Sequence, residues 1–175
     1  MELKDLKEPL IILTIAGGLF LAFSDNSPLK KKKESSPTSL SESIDNNSSN
    51  QNESHRMFDV MLQKAKNGDS MAQNDVAVYY KEGIGVAQNY SEAIYWYRKS
   101  AAQGDPVGMY GLGQCYATGS GVPQNYHTAA DYILRAANIG LREAQQTIAY
   151  MYENGLGVDK NYYQATYWRN KAQNH

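Results

Sequence analysis

The chain divides into stretches that differ in how apolar and polar residues follow one another. After a short polar N-terminus at residues 1–9, residues 10–23 form an unbroken run of 14 apolar or small residues that includes one Thr. Residues 24–53 are rich in Ser and Asn and carry almost no aliphatic and no aromatic side chains. From residue 54 onward, apolar residues return every three or four positions, which predicts amphipathic helices over residues 54–175.

The apolar run at residues 10–23 is typical of a signal-peptide core or a short membrane anchor. As a helix it would span about 21 Å, less than the roughly 30 Å hydrocarbon core of a bilayer, so a full transmembrane helix is the less natural interpretation. Ala22 and Ser24 suit a signal peptidase but the bulky Phe23 between them does not, so cleavage and retention both stay open.

Two features of the sequence bear on which side of the membrane the rest of the chain faces, and they disagree. The 14-residue apolar core is typical of an export signal, whereas the positive charge that follows it opposes export. The four lysines at positions 30–33 lie just after the apolar run, where positive charge resists export. We expect attachment to a membrane through the N-terminal segment, with the helical domain on the envelope, periplasmic side. The cytoplasmic face of the membrane is the alternative.

Residues 24–53 cannot bury enough apolar surface to fold, so a disordered tether is expected there.

The strongest pattern is a repeat with a period of 36 residues, in units 69–104, 105–140 and 141–175. All three units agree at seven positions, and a period in the thirties without strand-like alternation predicts a solenoid of paired helices. In the first unit these positions are Tyr80, Gly83, Gly85, Val86, Asn89, Tyr90 and Ala93.

Each unit carries signals for its own helix boundaries. Gly83 ends the first helix, because glycine enters the left-handed conformation at low cost. Asn89 is a good N-cap for the second helix, and Glu92 is placed to return a hydrogen bond that completes a capping box. A lone second helix containing Met57 and Val60 is expected ahead of the array as a leading cap helix.

The repeat resembles that of the Sel-one-like repeat (SLR) family, a relative of the tetratricopeptide repeat. The best-preserved stretch is YKEGIGVAQNYSEAIYWYRKSAAQGD at residues 80–105, and the resemblance extends from about residue 57 to residue 174. It implies an all-α, right-handed α-solenoid that binds other proteins. The paired cysteines of one secreted branch of the family are missing here, so the penicillin binding reported for that branch is not carried over.

Composition excludes several other functions. With 17 basic and 18 acidic residues the net charge is −1, so no basic surface for nucleic acid is expected. One cysteine and three scattered histidines give neither a disulfide framework nor a metal site. No pair of carboxylates recurs at a spacing that suits catalysis. We therefore expect no enzyme activity, no cofactor and a monomeric protein.

A partner protein is expected to bind along the concave groove, which the first helix of each pair lines in helical solenoids. Opposite the apolar stripe of these helices, the residues differ between units, as side chains that face a ligand or solvent would. The candidate partner-binding residues are Asn74, Val78, Lys81, Tyr110, Gln114, Gln146, Tyr150 and Glu153. A groove lined only by solvated side chains is the alternative interpretation.

These patterns predict a non-enzymatic, membrane- or envelope-associated scaffold or adaptor. One alternative is an immunity protein that neutralises a secreted toxin or effector. Another, less favoured because no catalytic site is recognisable, is a cell-envelope hydrolase.

Overall fold

The computed structural model describes residues 14–15, 18–19 and 40–174. The chain separates into two compact units, Met1–Pro37 and Thr38–His175. In the first, β1 (Thr14–Ile15) and β2 (Gly18–Leu19) pair antiparallel. The rest of the predicted anchor segment and residues 24–39 of the predicted tether lie outside the described residues. Within the described ranges, no helix combines the length and the apolar character that crossing a bilayer requires.

Residues 40–174 fold into seven helices, which confirms the all-α solenoid with one leading helix and three helix pairs. Each pair consists of a first helix and a second helix joined by a glycine-containing turn. The helices are α1 (Leu40–Lys66), α2 (Ser70–Glu82), α3 (Tyr90–Ala102), α4 (Pro106–Thr118), α5 (Tyr126–Ile139), α6 (Arg142–Asn154) and α7 (Tyr162–Gln173).

The leading helix is longer than the sequence predicts. It begins at Leu40, so the backbone of residues 40–53 is helical in a stretch where we expected a tether. The later turns of α1 are fixed by burial of Phe58 and Ala65. Once a helix is nucleated in this way, each further residue that is fixed adds one hydrogen bond, so the helix extends into polar residues without a new nucleus.

The buried face of α1 also differs from the expected one. Met57 and Val60 are exposed, whereas Phe58 is buried and packs edge-to-face against Tyr80 with ring centroids 5.2 Å apart. In a complete pair, a first helix would cover the positions of Met57 and Val60. No first helix precedes α1 in the described chain, so these two side chains face solvent.

Helix boundaries follow the predicted signals with one exception. Gly83, Gly119 and Gly155 are left-handed C-caps of the first helices, and Asn89 accepts hydrogen bonds from the backbone N–H groups of Ser91 and Glu92. The predicted capping box is not formed. The Glu92 carboxylate was expected to accept a hydrogen bond from the Asn89 backbone N–H. That N–H instead donates to the Tyr80 carbonyl at 2.7 Å.

Successive units are joined by a close backbone contact at the second glycine of each turn. Gly85, Gly121 and Gly157 all have positive φ, between 67° and 74°. A Cβ at Gly85 would overlap the backbone of Ser54 in α1, and one at Gly157 would overlap the backbone of Tyr126 in α5. Because the contact lies at an equivalent place in every unit, it fixes how each helix pair sits on the helix before it.

The core is one cluster that extends from Phe58 in α1 to Trp168 in α7. On the open side of α7, Arg169 stands where Tyr97 and Ile133 are buried in the earlier units, and its guanidinium donates to the Glu153 carboxylate at 2.7 Å. The side of the last unit that has no following unit in the described chain is therefore polar.

We predict that Gly157→Ala destabilises the protein far more than Gly104→Ala. Both glycines have positive φ, so each substitution costs about 1–2 kcal/mol of backbone strain. A Cβ at Gly104 meets nothing within 4 Å, whereas one at Gly157 overlaps the α5 backbone and should cost roughly 1–3 kcal/mol more. Urea unfolding of the two variants measures the difference, and equal losses would contradict the close contact between units.

Candidate functional site

The first helices of successive units touch each other and together form one wall, made of α2, α4 and α6. Helix α2 contacts α4 directly. The Tyr110 hydroxyl of α4 lies 3.1 Å from Thr147 Oγ1 of α6. Because the Thr147 hydroxyl already donates to the Glu143 carbonyl at 2.8 Å, Tyr110 is the donor in this pair. Direct contact between first helices is the arrangement expected of the inner wall of a solenoid.

One set of candidate residues faces the neighbouring unit rather than the groove. Asn74 is only 6% exposed and its Oδ1 has no hydrogen-bond partner, Tyr110 is half-buried, and Gln146 is exposed. These residues occupy the same position in successive units. The first helix α4 follows α2, and α6 follows α4, whereas no first helix follows α6 in the described chain. The burial of the three side chains decreases in the same order, from α2 to α6. The structure thus leaves Gln146 accessible and withdraws Asn74 from any partner.

A second set lies on the open face of the wall. Val78 and Tyr150 are 38% and 51% exposed, and Gln114 at the equivalent position of α4 is half-buried. These side chains leave an apolar residue accessible on the first and on the last of the three helices. They are the candidates that the structure places best for contact with another molecule.

Two residues of this face were missed by the sequence argument. Met71 and Val107 are 74% and 44% exposed, and each lies seven residues before Val78 or Gln114, on the same side of its helix. A strict search for the i, i+7 neighbours of the variable positions would have found them.

The two remaining candidates, Lys81 and Glu153, form ion pairs within the chain. Lys81 Nζ lies 3.1 Å from the Glu82 carboxylate, and Glu153 accepts from Arg169 as described above. Nearby on α2, burial raises the pKa of Asp75, with a further rise from the charge of Asp69 and an opposing effect from Lys64. The wall therefore carries mixed charge beside its exposed apolar side chains.

No arrangement suited to catalysis is evident on the described part of the chain. Cys115 is a buried free thiol, and burial raises its pKa, which disfavours the nucleophilic thiolate. Within residues 40–174 and the two strands, no three His, Cys, Asp or Glu side chains come together in a group that could hold a metal ion.

Comparison with protein families finds a repeated match to one family model. The model of the Sel1 repeat matches residues 70–105, 106–141 and 142–172. Each match begins one residue after the start of a unit that the 36-residue period gives. A search of the curated proteins finds no match.

Solved structures with the same repeat are similar to this chain. A Sel1 repeat protein from Oxalobacter formigenes is 32% identical with a TM-score of 0.60, over 62% of this chain and 45% of that one. The protein c5321, a protective antigen present in uropathogenic Escherichia coli strains and displaying an SLR fold, is 33% identical with a TM-score of 0.65, over 67% of this chain and 25% of that one. This chain thus spans less than half the length of either protein.

A third structure supports the fold alone. Helicobacter pylori cysteine rich protein B is 19% identical with a TM-score of 0.59, over 69% of this chain and 89% of that one. Its backbone follows the same helical repeat despite the low identity.

Proposed function

Because this chain belongs to the Sel1 repeat family, whose members typically serve as non-enzymatic scaffolds that bind other proteins, we propose that it is a membrane- or envelope-associated adaptor. Its partner is a protein that binds along the wall formed by α2, α4 and α6. The chain itself performs no reaction in this role.

The observation that carries the proposal is the set of exposed apolar side chains on the wall. Met71 and Val78 lie on α2, Val107 on α4 and Tyr150 on α6, so the apolar positions cross all three first helices. Scattered single hydrophobic residues are normal on a protein surface, but apolar residues repeated at equivalent positions of neighbouring helices favour an interface. Tyrosine is also a common source of binding energy in such interfaces, and Tyr150 is the aromatic member of this set.

Attachment to a membrane is supported by the sequence of the N-terminal segment. The run at residues 10–23 is apolar enough to enter a lipid surface, and the polar residues that follow would hold the repeats away from it. We favour the envelope side for the repeats, because a 14-residue apolar core is typical of an export signal. The lysines at positions 30–33 favour the cytoplasmic face instead.

We expect that Val78→Glu combined with Tyr150→Glu removes the partner without unfolding the protein. Both side chains are exposed, so two carboxylates cost little stability, but they would be desolvated in the complex. Affinity capture of the full chain from the cells that produce it, read by mass spectrometry, should show at least a tenfold loss of one stoichiometric protein.

The matched control for this capture is Tyr163→Glu, which makes the same change at a residue of α7 that is 79% exposed. It should recover the partner at the level of the unmodified chain. Equal recovery with the wall variant and the control would contradict binding along the wall.

A reporter enzyme fused after His175 tests the side of the membrane. We expect activity from a reporter that works only outside the cytoplasm, and membrane sedimentation of the fusion that is lost when residues 1–23 are deleted. Activity only from a cytoplasmic reporter would show that the lysines at positions 30–33 prevent export and that the repeats face the cytoplasm.

A further inference from the structure

An open, solvent-facing cleft with a volume of about 620 Å³, called the cavity below, lies between α5, α7 and the turn that joins α6 to α7. This volume falls within the range of known ligand sites. Leu134 and Val158 provide its apolar part, the half-buried Tyr152 adds an aromatic ring, and Trp168, which is only 4% exposed, adds a small part of a second ring. None of the eight candidate residues on the wall lines it, so the cavity is a separate feature, formed where the second and third units meet.

Polar side chains gather around this cavity. Asn138, Asp159 and Gln164 line it together with Asn161, whose Oδ1 accepts from the Gln164 backbone N–H. Asn138 and Asp159 are exposed and Gln164 is half-buried, and within the described residues their side chains and the Tyr152 hydroxyl form no hydrogen bond with the rest of the chain. The lining therefore offers a ligand one solvated carboxylate, two amide groups and a phenol oxygen, and it includes no cationic side chain.

The same place in the preceding unit already contains a cation from the chain itself. Arg98 stands 36 residues before Leu134, and its guanidinium lies 3.5 Å from the Tyr116 hydroxyl. Tyr116, the counterpart of Tyr152, stacks on Tyr132 with ring centroids 5.9 Å apart and an interplanar angle of 6°. An arginine beside stacked aromatic rings thus occupies this site in the second unit.

The third unit differs from the second in a complementary way. The arginine at this place is replaced by Leu134, which removes the cation. Ala102 and Pro123 of the earlier site are replaced by Asn138 and Asp159, which add side-chain acceptors, and Thr128 is replaced by the longer Gln164. The cation is lost at the same place where the groups that would bind it are gained.

We propose that this cavity receives an arginine side chain of the partner protein. The guanidinium is planar, carries five N–H donors and no acceptor, and lies well against aromatic rings, so it matches a carboxylate, amide oxygens and a Trp–Tyr lining. The cavity is larger than one side chain and also admits the neighbouring backbone of the partner. This inference rests on the proposed role as a protein-binding scaffold, but it concerns a site separate from the wall.

Two nearby cations limit the long-range attraction. Lys171 Nζ lies 4.9 Å from the centroid of the Trp168 ring, and Lys160 directly follows Asp159 in the chain. Selectivity for arginine therefore depends on short-range, charge-assisted hydrogen bonds rather than on net charge. A neutral ligand such as a sugar would use the amides and the rings but would not depend on the carboxylate.

The first test places an arginine in the cavity from within the full chain. Leu134→Arg restores the residue of the preceding unit, and Leu134→Gln is the neutral control of comparable polarity. We expect Leu134→Arg to melt about 2–4 °C above Leu134→Gln, and the gap to close when Asp159→Asn is added to both. Equal melting temperatures with Asp159 present would overturn the proposal.

The second test leaves Leu134 unchanged, so it can be carried out even if both Leu134 variants of the first test unfold. The chain has two tryptophans, so its ¹⁵N spectrum contains two indole N–H resonances, and Trp96 serves as the internal reference for Trp168. The probes are acetyl-Gly-Arg-Gly-amide and acetyl-Gly-Gln-Gly-amide, added to the full chain.

We expect a saturable shift of the Trp168 resonance with the arginine peptide alone, and at least fivefold weaker binding in Asp159→Asn. Equal shifts with both peptides would point to a neutral ligand, and no saturable shift up to about 10 mM would leave no arginine site; either result overturns the proposal. Neither outcome affects the capture experiment on the wall, so failure of this site and failure of the proposed function can be told apart.

Discussion

The contact between each turn and the helix before it determines the rest of this structure. Gly121 and Gly157 bring the turn of one unit against the first residue of the preceding second helix, and Gly85 brings its turn against Ser54 within α1. The contact requires a residue that has no Cβ and that accepts positive φ, and glycine alone meets both conditions. Since interactions in a solenoid are made with nearest neighbours, three such contacts set the path of the whole array.

The two surfaces proposed for function both follow from this stacking. Stacking brings the first helices into contact, so that exposed residues on α2, α4 and α6 form one wall. It also leaves a recess between successive second helices, which Arg98 enters in the second unit and which stays open above Leu134 in the third. A repeat protein can therefore acquire a binding site by changing side chains in two adjacent units, while the backbone contacts that hold the array remain as they are.

Much of the fold could be predicted from the sequence, because a repeated pattern reports the same local structure three times. The period, the glycine caps and the Asn caps all have local causes and were found correctly. The features that were missed depend on neighbours in space. The Asn89 backbone N–H donates to the Tyr80 carbonyl rather than to the Glu92 side chain. Asn74 is buried because another first helix follows the helix that carries it. The cavity could have been suspected only by comparing Arg98 with Leu134 across units.

The central claim is that the turn glycines hold the first helices in a single fixed arrangement. The distance between spin labels on cysteines introduced by Val78→Cys and Tyr150→Cys, in a Cys115→Ala background, measures that arrangement across the wall. We expect one narrow distance distribution in this protein. Adding Gly121→Ala, whose Cβ would lie 2.7 Å from the Tyr90 Cβ, should shift or broaden the distribution. An unchanged distribution in the folded variant would contradict the claim.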